Sequence, residues 1–399
     1  MDRLIGSGAS PVSSGVSQHD AVPWEERVGL RLSGVVAQGR WRSPRVFDAL
    51  GPEGVLELED GERRSVVSFA SNDYLGLASH PEVIAAAAQA LERWGSGAGA
   101  SRLVTGSRPV HRELEHELAA WKGTEAAVCF SSGFAANLGI LGVLGDSGTT
   151  IYSDELNHAS IVDGCRLARA HVRVYRHADP EHLASLLEEG TSPALVVTDT
   201  VFSMEGDVAP VGELAEVCRR NRALLVLDEA HAVLGPELGP EVTEGIMVVR
   251  VGTLSKMLGS LGGFVAGPRS VVDLLVNTAR PYIFTTALPP ADAAAARAAL
   301  EVVRSGEGSL LRDRLTGYVE AICPGHMSPI IPVVLGTEEK ALAASASLLE
   351  RGLWVPAIRP PTVPHGTSRL RVTVSAAHQV EHVDQLVRAL EHLEGGRRC

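Results

Sequence analysis

The sequence has no CxxC pair, no long uncharged apolar run and no excess of positive charge, and each absence removes a class of function. Its cysteines, Cys129, Cys165, Cys218, Cys323 and Cys399, are scattered singly. That pattern argues against a zinc site or a disulfide framework and for reduced thiols in a cytosolic protein. No segment reaches the ~18 apolar residues needed to cross a bilayer. The first twenty residues mix acidic and basic groups without an apolar core, so they do not read as a signal peptide. The expected location is the cytoplasm. A net charge of −12 disfavours a general partner among nucleic acids or anionic membranes, while leaving room for a local basic pocket.

What is present is ordinary globular material. The chain has 399 residues, 45% hydrophobic and 21% charged, enough for a large core and two or three lobes. Residues 1–20 are rich in Gly and Ser without periodicity and are expected to be a disordered lead-in. Residues 21–70 form an N-terminal segment, with a helix expected from Trp24 to about Gln38. It runs into the basic group Arg40, Arg42 and Arg45, either a solvated helix end or a contact to a substrate anion. From about residue 71 to 300, short apolar runs at 126–130, 151–152, 194–198, 223–227 and 247–251 alternate with helix-length segments. This predicts an α/β fold with a mostly parallel central sheet and helices on both faces. Residues 301–399 read as a smaller C-terminal α/β domain, with strands near 330–335 and 370–374 and a Pro-rich loop at 359–364. Gly95, Gly97 and Ala100 match the dinucleotide fingerprint in letters, but they follow a helix where that motif needs a strand.

Ligands of open parallel sheets gather at the carboxyl ends of the strands, and the candidates lie there. After the first strand, Ser131-Ser-Gly133-Phe134 opens a helix whose free amides suit a phosphate, although a plain Ser cap has the same letters. His158 follows the second strand and Ser203 the third. Asp228 ends the fourth, with His231 three residues on. Asp228-Glu-Ala-His231 is also the magnesium motif of one helicase class, but that reading needs a GxxxxGK[ST] loop and none exists. No carboxylate or histidine cluster with ligand spacing supports a metal hydrolase. The fifth strand leads to Thr253, Ser255 and Lys256, backed by Gly259, Gly262 and Gly263. A lysine in small, apolar surroundings has a lowered pKa, and the neutral amine is the form that makes a Schiff base. A phosphate cradle, a flat ring neighbour, an aspartate at a strand end and a lysine one strand later meet the needs of pyridoxal phosphate.

These motifs resemble those of the α-oxoamine synthases, a subgroup of the fold-type I pyridoxal-phosphate-dependent transferases. The likeness extends from about Trp24 to Glu394. It rests on SNDYLGL (71–77), FSSGFAAN (130–137), NHASIVDG (157–164), VFSMEGD (201–207), DEAH (228–231), GTLSKMLG (252–259), FTTALPP (284–290) and IRPPTVPHGTSRLR (358–371). The last motif points to the branch that condenses L-alanine with a pimeloyl thioester, with loss of carbon dioxide, to give 8-amino-7-oxononanoate for biotin. Sister reactions in the same family make 2-amino-3-ketobutyrate or 5-aminolevulinate, and a catalytically silent paralogue is the rival outside enzymology.

The resemblance implies roles by position. Lys256 would form the Schiff base and later move the substrate Cα proton. Asp228 would pair with the pyridine nitrogen, His231 and Ser203 with the phenolic oxygen, and His158 would stack on the ring. Gly133, Phe134 and Thr253 would hold the phosphate side, joined by Thr285 or Thr286 from the neighbouring subunit of a homodimer. Arg371 would take the substrate carboxylate with Thr362 nearby, and Arg42 would lie along the acyl-donor path. The acyl carrier is coenzyme A or acyl carrier protein. The chain departs from the family pattern after His231, where Ala232-Val-Leu-Gly235 follows directly and two residues are missing, which bears on the choice of acyl donor.

Overall fold

The computed structural model of the chain describes residues 22–190, 193–236, 238–393 and 397–398. The lead-in expected at residues 1–20 lies outside them, as does Cys399. The described residues fall into two compact units, one of residues 22–46 and 57–62 and one of residues 47–56 together with those described from 63 to 398.

In the first unit, helix α1 (Trp24–Ala37) starts after Pro23 with Glu25 and Glu26 in its first turn, where acidic groups face the positive end of the helix dipole. It buries none of its residues and leaves Trp24, Val28 and Leu30 exposed.

The second unit is built around a seven-stranded sheet. Strands β1 (Val46–Ala49), β2 (Glu53–Glu57) and β3 (Arg63–Ser68) come first and belong to a separate four-stranded sheet. The central sheet comprises β4 (Ala126–Phe130), β5 (Thr150–Asp154), β6 (His171–Tyr175), β7 (Ala194–Asp199), β8 (Leu224–Asp228), β9 (Val248–Thr253) and β10 (Gly263–Gly267). Their spatial order is β4-β10-β9-β8-β7-β5-β6. Strands β5 to β9 pair in parallel, and β10 runs antiparallel to both β4 and β9. The aliphatic runs of β7 and β8 are buried on both faces, as parallel strands under two helix layers must be.

Helices α2 (Pro81–Trp94), α3 (Pro109–Lys122), α4 (Gly133–Leu144), α5 (Ala159–Leu167), α6 (Pro180–Glu188) and α7 (Val211–Asn221) follow in order. Helix α4 is apolar almost all round and packs with α5 over Val128, Val226, Val249 and Val265. The other face takes α6 and α7 over Val196, Leu225 and Leu227. Strands β4 to β9 therefore deliver their carboxyl-end loops to the same rim of the sheet, and antiparallel β10 brings its amino end there.

Two strands of the central sheet exceed the sequence expectation. β6 is an edge strand whose residues are mostly exposed, so its apolar alternation is weak. β10 (Gly-Phe-Val-Ala-Gly) has glycine at both ends, and glycine reads as a loop. Gly262 and Gly259 do adopt positive φ, 126° and 57°, but Gly263 is a buried strand residue.

The C-terminal part adds β11 (Ile330–Gly336), β12 (Leu353–Trp354), β13 (Ala357–Ile358), β14 (Ser368–Thr373) and β15 (Arg397–Arg398). Its sheet has the order β13-β14-β11-β15, while β12 joins β3 in parallel. Both expected C-terminal strands are present. The expectation that every cysteine is a reduced thiol is corrected at one site. Cys129, Cys165 and Cys218 are free and buried, but Cys323 is disulfide-bonded. Spacing along the chain says nothing about which distant cysteines the fold brings within bonding range. Among the described residues, no helix is long and apolar enough to cross a membrane, and no group of three or more His, Cys, Asp or Glu could hold a metal ion.

Candidate active site

At the end of β8, Asp228 is buried with both carboxylate oxygens engaged. The Ala230 N–H donates to Oδ1 at 2.9 Å and Asn137 Nδ2 to Oδ2 at 2.6 Å. The turn that follows buries His231. Lys256, one turn past β9, sets its Nζ within hydrogen-bond distance of His231 Nε2, at 2.7 Å. On the other side of the ring, His231 Nδ1 lies 2.5 Å from the Tyr74 hydroxyl. Tyr74 donates to Asn72 Oδ1 at 3.2 Å, and the same oxygen accepts from Arg371 Nη2 at 3.2 Å. A continuous string of hydrogen bonds therefore joins the lysine to the arginine.

Burial dominates the electrostatics. It lowers the Lys256 pKa, opposed by the charges of Asp228 and Asp199 and assisted by Arg371. Burial also pushes His231 well below the ordinary histidine range, helped by the positive charges of Lys256 and Arg371, so His231 is neutral near pH 7. Asp199, paired with Asp228 across β7 and β8, is raised well above the carboxylate range by burial and then by the Asp228 charge. An amine of lowered pKa, a neutral imidazole and closely spaced carboxyl groups form a set in which protons move readily.

On the α4 side, Ser132 caps the helix by accepting from the Ala135 N–H at 3.0 Å. The cap leaves other amides of the first turn without intrahelical partners. Gly133 stands so close to β9 that a Cβ there would lie 3.3 Å from Thr253 Cβ. A Cβ on Gly263 would lie 2.5 Å from Gly133 N, so β10 needs glycine at this crossing. Thr253 Oγ1 donates to Gly262 O at 2.9 Å and meets Ser255 Oγ at 2.7 Å. Phe134 projects outward with its ring edge toward His158, centroids 6.5 Å apart. His158 is the N-cap of α5, and burial lowers its pKa against the pull of Asp228.

The small lobe contributes β14. Arg369 and Arg371 point to one face and Leu370 to the core, as their spacing predicts. Arg369 pairs with Glu205 at 3.1 Å and donates to Met204 O. Arg371 donates from Nε to Ser203 O at 2.6 Å and from Nη1 to Thr373 Oγ1 at 2.9 Å. Ser203 is thus tied to the site through its carbonyl oxygen.

The fold gathers Lys256, Asp228, His231, His158, Ser203, Thr253, Gly133, Phe134 and Arg371 at the rim. Thr362 sits exposed in a turn whose N–H donates to Arg359 O at 3.1 Å. Thr285 and Thr286 follow the exposed Phe284, with Thr286 bridged to Ser101. Arg42 is exposed between α1 and β1, in the first unit. Sequence reasoning assigned no role to Asn72, Tyr74, Asn137, Ser160 or Asp199. The first four stand inside quoted motifs, but a motif does not say which of its polar residues turns inward.

The set fits pyridoxal phosphate. It offers a buried amine for a carbonyl, a carboxylate for a ring nitrogen and helix-start amides for a phosphate. It also holds an unsatisfied acceptor, Asn137 Oδ1, buried with no hydrogen-bond partner.

Comparison with known proteins agrees. The aminotransferase class I and II family model matches residues 64–390. An 8-amino-7-oxononanoate synthase from Anaeromyxobacter dehalogenans is 50% identical over 388 residues, 93% of this chain and 95% of its own. One from Marinobacter nauticus is 47% identical over 88% of this chain and 92% of its own. Among solved structures, a serine palmitoyltransferase from S. paucimobilis with a bound PLP–myriocin aldimine superposes with a TM-score of 0.84 at 31% identity, covering 92% of this chain and 97% of that one. The 8-amino-7-oxononanoate synthase of Francisella tularensis gives 0.66 at 28% identity, over 82% and 96%. The fold is therefore that of the fold-type I pyridoxal-phosphate transferases, and the chain belongs to the class I and II aminotransferase family and, within it, to the 8-amino-7-oxononanoate synthases.

Proposed function

We propose that the chain condenses L-alanine with a pimeloyl thioester, releasing carbon dioxide and the thiol carrier and giving 8-amino-7-oxononanoate for biotin biosynthesis. The observation that carries this reading is the buried string from Lys256 through His231, Tyr74 and Asn72 to Arg371, set beside Asp228. Bound pyridoxal phosphate supplies an electron sink for the charge left at Cα when its proton departs. Lys256 is the group that tethers the cofactor and then accepts that proton, and its lowered pKa favours the neutral amine the task needs. Asp228 would pair with the pyridine nitrogen and keep it protonated. His231 and Ser203 would hold the phenolic oxygen, His158 would stack on the ring, and Gly133, Phe134 and Thr253 would hold the phosphate. Arg371 would take the alanine carboxylate, with Thr362 nearby. The acyl donor is carried by coenzyme A or by acyl carrier protein, and Arg42 is the residue the family likeness assigns to it.

The working form is a homodimer in the cytoplasm, with Thr285 or Thr286 reaching the partner's phosphate. The exposure of Leu103, Val104, Leu261 and Phe284 supports this, because large apolar side chains are costly to leave in water. The better superposition on serine palmitoyltransferase makes serine the amino acid to test against alanine.

The test supplies purified protein with pyridoxal phosphate, one amino acid (alanine, serine or glycine) and either pimeloyl thioester, and identifies the product by mass spectrometry. The amino-oxononanoate is expected from alanine alone. A product from serine or glycine only would overturn the substrate reading. Lys256→Ala should fold yet gain no cofactor mass after borohydride reduction, and turnover near that of the parent protein would end the assignment. Asp228→Asn should lose roughly a hundredfold or more in rate.

A further inference from the structure

Asp228 and His158 lie on different elements, the end of β8 and the cap of α5, yet two side chains outside the roles assigned above join them. Asn137, one turn into α4, donates one Nδ2 hydrogen to Asp228 Oδ2 at 2.6 Å and the other to Ser160 Oγ at 2.9 Å. Ser160 Oγ lies 2.7 Å from His158 Nδ1. Asn137 and Ser160 are each only 1% exposed, so water does not replace these bonds.

The chemistry fixes the direction of each bond. The reverse orientation of the Asn137 amide would set its carbonyl oxygen against a carboxylate, so the NH2 group faces Asp228. Both its hydrogens are then spent. Ser160 Oγ accepts one of them and has its own hydrogen left for His158 Nδ1. The Ser160 N–H also points at that nitrogen, at 3.2 Å. A nitrogen accepting twice carries no proton, so the imidazole proton sits on Nε2. The lowered pKa of His158, caused first by desolvation of its ring, agrees with an uncharged imidazole.

We propose that Asn137 and Ser160 are positioning residues that bind Asp228 and His158 into one preset unit, holding the carboxylate in its rotamer and His158 in its Nε2–H tautomer before any cofactor arrives. The consequence is that the group beneath the ring nitrogen and the group over the ring face are oriented together. A donor hydrogen is held ready at Nε2, where a substrate carboxylate or thioester oxygen meets it. The proposal deepens the functional reading and rests on its assignment of Asp228 and His158.

The test uses the full-length chain without cofactor, grown with nitrogen-15-labelled histidine. Two-bond proton–nitrogen correlations of the imidazole rings report each tautomer, and the His158→Gln spectrum identifies the His158 signals. The expected spectrum of the parent protein shows the Nε2–H form alone. Ser160→Ala should shift the population toward Nδ1–H by about fivefold or more, and Ser160→Thr, which keeps the hydroxyl, should restore it. Asn137→Ala should loosen the same preference while leaving Ser160 in place. With cofactor and alanine, kcat of Ser160→Ala is expected to fall by about tenfold at unchanged KM. An unchanged tautomer in both alanine variants would overturn the proposal, as would a rise in KM with kcat intact. Failure of the parent protein to bind pyridoxal phosphate would instead sink the functional reading, because the tautomer experiment needs no cofactor.

Discussion

Arg369 and Arg371, two apart on β14, have different tasks. Arg369 is spent on Glu205 and the Met204 carbonyl and so holds the 201–207 turn against the small lobe. Arg371 has each guanidinium nitrogen directed by a separate acceptor, Ser203 O, Thr373 Oγ1 and Asn72 Oδ1, which orients the planar fork without cancelling its charge. A lysine cannot satisfy three such acceptors or present two parallel donors to a carboxylate. Arg371→Lys is therefore expected to weaken alanine binding by about 2–4 kcal/mol, read by titrating the visible spectrum of the bound cofactor with L-alanine. Equal dissociation constants would remove Arg371 from the substrate site. The sequence offered both arginines as candidates, since a two-residue spacing puts them on one face. Only the neighbouring turn, about 165 residues away in the chain and invisible to any local pattern, separates their roles.

At the scale of elements, the rim depends on contacts that local patterns do not contain. β10 crosses the first turn of α4 with no room for a side chain at Gly263. Gly263→Ala should push the strand off Gly133, cost about 1–3 kcal/mol in urea unfolding and weaken cofactor binding. Wild-type affinity in that variant would show the crossing to be slack. The parallel strands β5, β7, β8 and β9 were legible because their aliphatic runs are buried on both faces, and so were the helix-start and strand-end residues they deliver. β6 and β10 were not, one being an exposed edge and the other framed by glycines.

The 201–207 turn has a second anchor that sequence could not supply. His177 bridges Asp154 at 3.0 Å and Asp207 at 2.7 Å, with its ring edge-on to Phe202. Burial alone would lower its pKa, but the bonds to Asp154 and Asp207 outweigh it and raise the value from 6.5 to about 10. A raised histidine pKa stabilises the fold fully below the unfolded value of 6.5, and this contribution is lost as pH rises through about 10. His177→Gln should lose about 2 kcal/mol near neutral pH, and its unfolding free energy should change less than the parent's across that window. Parallel pH profiles for the two proteins would show the histidine to be uncharged.

For the whole molecule, the proposed dimer makes a prediction that a single chain cannot meet. If Thr285 and Thr286 serve the partner's site, mixing the Lys256→Ala chain with a Thr285→Ala/Thr286→Ala chain rebuilds one complete site in each mixed dimer. Activity should return to about a quarter of the parent level in an equal mixture exchanged by mild denaturation. No recovery beyond the sum of the separate variants would place both threonines in their own chain's site. The central sheet itself has a consequence for how this protein is made. β4 lies at the sheet's edge and pairs with β10 alone, so the first of the seven strands to leave the ribosome waits for the last. The roughly 130 residues between them take on the order of ten seconds to translate, and for that time α4, apolar on nearly every side, has no completed sheet beneath it. The crossing of Gly263 over Gly133 cannot form earlier, so the nascent chain has no phosphate cradle, and cofactor loading belongs after synthesis of the sheet, with α4 as the segment a chaperone would hold until then.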